Sequence, residues 1–97
     1  MKQSLTLKEL QHYIMKTDYN PNGKNDYFLK LIEEVGELSE VLRKNKRMTE
    51  QDGIKGTIEE ELYDVLYYVL ALANVYGIDL ERSFEKKEEI NRLKWNK

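Results

Sequence analysis

The sequence predicts an all-α domain of four helices, and three observations carry that expectation. Only one proline falls in 97 residues, so little interrupts a helix. Apolar residues recur at three- and four-residue spacing over 31–42 and 58–76 instead of alternating as in a strand. Helix-start signals, Thr6-x-x-Glu9 and Thr57-x-x-Glu60, stand in front of two periodic runs, where a hydroxyl and a carboxylate can satisfy each other's first-turn N–H groups.

The first helix is expected from Thr6 to about Thr17, with Leu7, Leu10 and Ile14 inward. The run DYNPNGKN, 18–25, is a turn-rich breaker. Asp26 is then expected to cap a second helix reaching about Asn45, whose buried stripe is Leu31, Val35, Leu38 and Leu42. On the helical wheel Glu34 borders that stripe, Glu37 lies further round, and Val41 follows. Segment 46–56, KRMTEQDGIKG, has two glycines and no period, and reads as an exposed loop. The third helix runs from the Thr57 cap through Ile58, Leu62, Val65, Leu66, Val69, Ala73 and Tyr76 to a Gly77 C-cap. Leu70, Leu72 and Val75 widen its apolar arc beyond one stripe, as a helix covered on more than one side requires. Asp79 caps a fourth helix from Leu80 to about Trp95, strongly charged, with Phe84, Ile90 and Leu93 inward.

Composition narrows the function. A net charge of −2 with 35% charged and 40% hydrophobic residues fits soluble amphipathic helices and gives no bulk attraction to nucleic acid. With no cysteine and one histidine there is no disulfide framework, no thiolate nucleophile and no zinc-thiolate or histidine-rich metal site. The N-terminal run MKQSLTLKELQHY has no signal-peptide apolar core, and no apolar run approaches the roughly 20 residues that span a bilayer, so a cytoplasmic protein without membrane association is expected. A chain of 97 residues is short for a self-sufficient core, and a homo-oligomer is expected, with the third helix in its interface.

Two acidic pairs carry the chemistry: Glu34-x-x-Glu37 in EEVGEL and Glu61-x-x-Asp64 in EEELYDVL. Residues three apart share a helix face, so each pair projects two carboxylates from neighbouring turns, and both pairs sit at the same offset from their apolar stripes. If the helices face each other, like charges at 4 Å repel by roughly 4 kcal/mol at an effective dielectric near 20. A divalent cation removes that cost. Oxygen-only ligation suits Mg²⁺, which commonly completes its shell with water and substrate phosphates.

These residues resemble a family. EEVGEL, a spacer of 23 residues from Leu38 to Glu60, Glu61-x-x-Asp64, then GIDL and a terminal KKEEINRLKW are similar to the MazG-like all-α nucleotide pyrophosphohydrolases, over nearly the whole chain. The resemblance implies a single domain, 1–97, that hydrolyses a nucleoside triphosphate to the monophosphate and pyrophosphate with magnesium, as a homodimer or homotetramer. By motif match Glu34, Glu37, Glu61 and Asp64 hold the metal, and Glu33 completes the family's EExxE. Glu33 and Glu37 are the candidate general bases. Lys87 and Asn91 match a C-terminal element on the phosphate side. Lys94 stands where many relatives carry arginine, which replaces a forked phosphate contact by a point charge.

Other residues admit plainer roles. Tyr68, one turn after Asp64, is placed to line the nucleotide pocket or to cap the core with its hydroxyl at the rim. His12 and Trp95 read as a surface group and an interface anchor, and Lys30 as an ion-pair partner of Glu34 one turn on. Glu-x-x-His units, a calcium-loop pattern and a Walker lysine loop are all missing from the sequence. Two rival functions remain: a phosphoribosyl-ATP pyrophosphatase, and a non-catalytic helical interaction module whose acidic edges bind a basic partner.

Overall fold

In the computed structural model, which describes residues 4–95, the described residues form four α-helices: α1 (Leu7–Thr17), α2 (Lys24–Lys44), α3 (Ile58–Val75) and α4 (Leu80–Trp95). Helix α1 opens with the expected capping box: Thr6 Oγ1 accepts the Glu9 N–H and Glu9 Oε1 accepts the Thr6 N–H, each at 3.0 Å. The second start differs from expectation. Helix α2 begins at Lys24 behind Gly23, with no side-chain cap, and Asp26 lies inside its first turn, where a negative charge suits the helix dipole. Gly23 is packed so closely against Asn20 and Tyr27 that a Cβ there would meet atoms at 3.1 Å.

The α2 terminus turns on Asn45 at φ 52°, one of the few non-glycine residues that tolerate this region. The capping box expected at Thr57 is redistributed. Thr57 Oγ1 accepts the Glu60 N–H, but Glu60 Oε1 takes the Gly56 N–H at 2.7 Å, because the Thr57 N–H already bonds to the Ile54 carbonyl. The loop before it is pinned to α3: Glu59 accepts the Arg47 guanidinium at 2.7 Å and the Met48 N–H at 2.8 Å. Those contacts hold the Glu59 carboxyl below its usual range, the backbone N–H foremost. Helix α3 ends in a Schellman turn at Gly77, φ 66°, with Gly77 N–H to Asn74 and Ile78 N–H to Ala73. Asp79 Oδ1 caps α4 through the Glu81 N–H at 3.0 Å.

Helices α2 and α3 pack as the main pair, α1 lies against α3, and α4 leans chiefly on α1. The core is Ile14, Tyr27, Leu70 and Ala71, with Leu7, Leu10, Leu72, Val75 and Leu80 around it. A buried amide pair ties α1 to the α3–α4 turn: Gln11 Nε2 donates to Asn74 Oδ1 and to the Ile78 carbonyl, and Asn74 Nδ2 donates back to the Gln11 carbonyl.

The α2 stripe keeps Leu31 and Leu38 of the four residues read from the wheel and loses Val35 and Leu42. The side facing α3 is Tyr27, Leu31, Glu34, Leu38 and Val41, alternating four- and three-residue steps, with Tyr27 and Glu34 buried. Val35 and Leu42 belong to a second stripe with Phe28 and Ile32, and all four are exposed. Leu62, Leu66 and Tyr76 of α3 are exposed as well. The inward residues expected on α4 are also open in the single chain, with Phe84 63% and Leu93 81% exposed and Ile90 open too. The reason is geometric. Helix α2 carries an apolar arc that runs from Glu34 about halfway round the helix, and α3 covers only the part next to Glu34.

Candidate active site

The α2–α3 pairing is antiparallel in register, so Glu34 meets Glu61 while, two turns back along α2, Tyr27 meets Tyr68 at 6.5 Å between ring centroids. Carboxylate oxygens of Glu34, Glu61 and Asp64 lie within 4.8 Å of one another, and those of Glu33, Glu34 and Glu37 do the same. Glu34 belongs to both groups. It is 8% exposed and Glu61 7%, Asp64 is half-buried, and Glu33 and Glu37 are open to solvent.

Crowding acids under cover has an electrostatic cost. Burial first, then hydrogen bonding to Glu61 and the charges of Glu37, Asp64 and Glu61, push the Glu34 carboxyl up to about 7. Burial likewise raises Glu61 and Asp64. Without a cation, a proton on Glu34 donated to Glu61 relieves part of the repulsion. It does not satisfy everything: Glu61 Oε1 is buried with no hydrogen-bond partner, a position a native structure leaves open only for a reason. An orphaned, all-oxygen, negatively charged donor set fits a hard divalent cation.

The remaining residues singled out in the sequence are distributed unevenly. Tyr68 stands beside the cluster, its ring 6.0 Å from Lys30 Nζ, and Glu34 and Asp64 are among the charges acting on its hydroxyl. Lys30 pairs with Glu33 at 3.1 Å and not with Glu34, because Glu34 turns into the seam while Glu33 stays outside. Lys87 and Lys94 are exposed on α4, and Asn91 Nδ2 donates to Glu88 at 3.1 Å. Among the described residues none of the three bonds to the carboxylates. His12 is exposed beside a separate cleft of about 260 Å³, with Lys8, Met15 and Asp79, and Trp95 is exposed. Asp18, within the turn-rich breaker, and Tyr27 and Tyr67, which bond to it, carry no motif of their own in the sequence. The available signal was the tyrosine run 63, 67, 68 on the acidic helix.

Comparison with known proteins follows the same motifs. The profile of the MazG nucleotide pyrophosphohydrolase domain matches residues 23–92, which takes in both acidic pairs and most of α4. The chain belongs to the MazG family. The MazG fold is also found in crystal structures of iMazG from Vibrio DAT 722. The C-terminally tagged form is 53% identical at a TM-score of 0.85, over 91% of this chain and 99% of that one. The N-terminally tagged form is 52% identical at 0.87, over 96% of this chain and all of the other. No curated protein matches the chain. Among the described residues of this MazG domain, no helix is long and apolar enough to cross a membrane.

Proposed function

We propose that the chain, as one domain over 1–97, is a magnesium-dependent nucleotide pyrophosphohydrolase acting in the cytoplasm on a nucleoside or deoxynucleoside triphosphate. Water attacks the α-phosphorus, the bond from that phosphorus to the α–β bridging oxygen breaks, and the monophosphate and pyrophosphate leave. The observation that carries the reading is the buried cluster on the α2–α3 seam, with Glu34 common to both acidic groups and Glu61 Oε1 unsatisfied.

Glu34, Glu37, Glu61 and Asp64 would hold the cation, which when bound supplies neutralisation of the polyphosphate charge. Glu33 and Glu37, solvent-facing at the edge of the cluster, would take the proton of the attacking water on a carboxylate oxygen. Tyr68 offers an aromatic surface to the nucleoside side. The uncovered α2 stripe of Phe28, Ile32, Val35 and Leu42, with Leu62 and Leu66 of α3, supports a homodimer or homotetramer. Since α4 leans on α1 within one chain, a phosphate role for Lys87, Asn91 and Lys94 depends on that assembly.

Pyrophosphate release from a panel of natural and modified triphosphates, phosphoribosyl-ATP included, with magnesium and with a chelator, tests the reading. Activity on one or more triphosphates that disappears with the chelator supports it. Turnover restricted to phosphoribosyl-ATP moves the assignment to that enzyme, and no turnover on any substrate leaves the interaction module. Sedimentation as a stable monomer at micromolar concentration would reject the oligomer.

A further inference from the structure

The tyrosines next to the carboxylate cluster are linked in series. Ring centroids of Tyr63 and Tyr67 lie 6.2 Å apart at 70°, those of Tyr67 and Tyr68 5.0 Å apart at 72°, and Tyr68 meets Tyr27 of α2 at 40°. The two edge-to-face contacts along α3 fix ring orientation as well as position. The series is anchored by one carboxylate from the α1–α2 turn. Tyr67 donates its hydroxyl to Asp18 Oδ2 at 2.7 Å, Tyr27 donates to Asp18 Oδ1 at 2.9 Å, and the Tyr27 hydroxyl accepts the Asn20 N–H at 2.9 Å. Burial, then the bond to Asp18, raises both phenols, so they remain donors through the neutral range.

Tyr68 is different. Its ring is held between Tyr27 and Tyr67, yet its hydroxyl makes no hydrogen bond among the described residues. It follows Asp64 by one turn, about 6 Å along the helix. A nucleotide whose phosphates are held at the carboxylates and whose nucleoside runs along α3 would meet that ring.

We propose that Asp18 is a positioning residue for the nucleotide: by taking a phenol on each carboxylate oxygen it locks Tyr27 and Tyr67, and they hold the Tyr68 ring as a fixed wall against sugar and base. Asp18 touches no nucleotide itself. The proposal rests on the reading of Tyr68 as part of the nucleotide pocket. Its physical content is preorganisation, since a ring already fixed in the free protein loses no further freedom when a ligand settles on it.

The test uses the full chain and its Tyr67→Phe, Asp18→Asn and Tyr68→Ala variants. Melting is followed, and calorimetric titrations are made with Mg²⁺ alone and with a non-hydrolysable deoxynucleoside triphosphate analogue in Mg²⁺. Tyr67→Phe and Asp18→Asn are expected to weaken analogue binding by about three- to tenfold, the scale of one hydrogen bond, with Mg²⁺ affinity unchanged. In a Tyr68→Ala background Tyr67→Phe should add nothing. If Tyr68→Ala weakens binding while Tyr67→Phe and Asp18→Asn lower only the melting temperature, Asp18 is a turn anchor and the proposal is overturned with the pocket reading intact. If Tyr68→Ala leaves affinity unchanged, or the analogue does not bind the wild type, the pocket or nucleotide reading fails first and takes the proposal with it. Should Asp18→Asn not fold, Tyr67→Phe, which keeps the ring, decides.

Discussion

The α2–α3 seam is built from opposite materials in two adjacent layers. Where Glu34 meets Glu61 and Asp64, like charges are buried together and Glu61 Oε1 has no partner. Where Tyr27 meets Tyr68, Asp18 gathers two phenol hydroxyls and the rings pack on Ile14 and Leu70, both 0% exposed. The acidic layer opposes folding and the aromatic layer favours it. Placing them two turns apart lets the satisfied layer hold the repelling one in register, which is how a strained site persists in a small domain.

The sharpest way to break this contrast is to neutralise the acidic layer. Glu34→Gln, Glu61→Gln and Asp64→Asn are each expected to lower turnover by about a hundredfold or more, since an amide is a poor ligand for a hard cation. The melting temperature of the metal-free protein should hold or rise. Pyrophosphate assays beside thermal melts check both; near-wild-type turnover in any two variants would sink the carboxylate site, and loss of folding in all three would make the acids structural.

The aromatic layer should respond in the opposite sense. Leu70→Ala, which opens a cavity at its centre, is expected to cost about 2–5 kcal/mol in denaturant unfolding. Tyr67→Phe should cost about 1 kcal/mol by leaving one Asp18 oxygen unpaired. A Leu70→Ala variant as stable as the wild type would show that the core lies elsewhere.

Acidity distinguishes the layers more gently. Glu34 is raised from the usual carboxylate range to about 7, so its protonated form is favoured by folding. That contribution is fully present below the unfolded value, near 4.5, and is lost as pH rises through about 7. In chelator the melting temperature should therefore fall between pH 5.5 and 8, magnesium should restore it at pH 8, and Glu34→Gln should flatten the dependence. A wild-type profile as flat as that of Glu34→Gln would contradict the burial argument. The smallest effect is expected at Lys30→Ala: the exposed pair with Glu33 is worth little, and melting should move by no more than about 1 °C.

Much of this was legible along the chain. Periodicity and end signals placed α1, α3 and α4 almost to the residue, because hydroxyl caps, a left-handed glycine and an aspartate cap are local devices that need no tertiary partner. The α2 start was not, since its first turn is set by the close packing of Gly23 against Asn20 and Tyr27 and not by a capping side chain. The spacing of Glu34, Glu37, Glu61 and Asp64 located the acidic edges, and the family motifs located the family.

What the sequence determined by itself was the set of helices and the chemistry offered on their faces, for both follow from short-range spacing. Only the tertiary structure decided which faces meet. A helix whose apolar arc is wider than one partner can cover can turn either end of that arc inward, and the α2–α3 packing brought the end beside Glu34 into the seam while leaving Val35 and Leu42 outside. Long-range closure also brought Asp18 to Tyr67, a pairing 49 residues apart that no local pattern encodes.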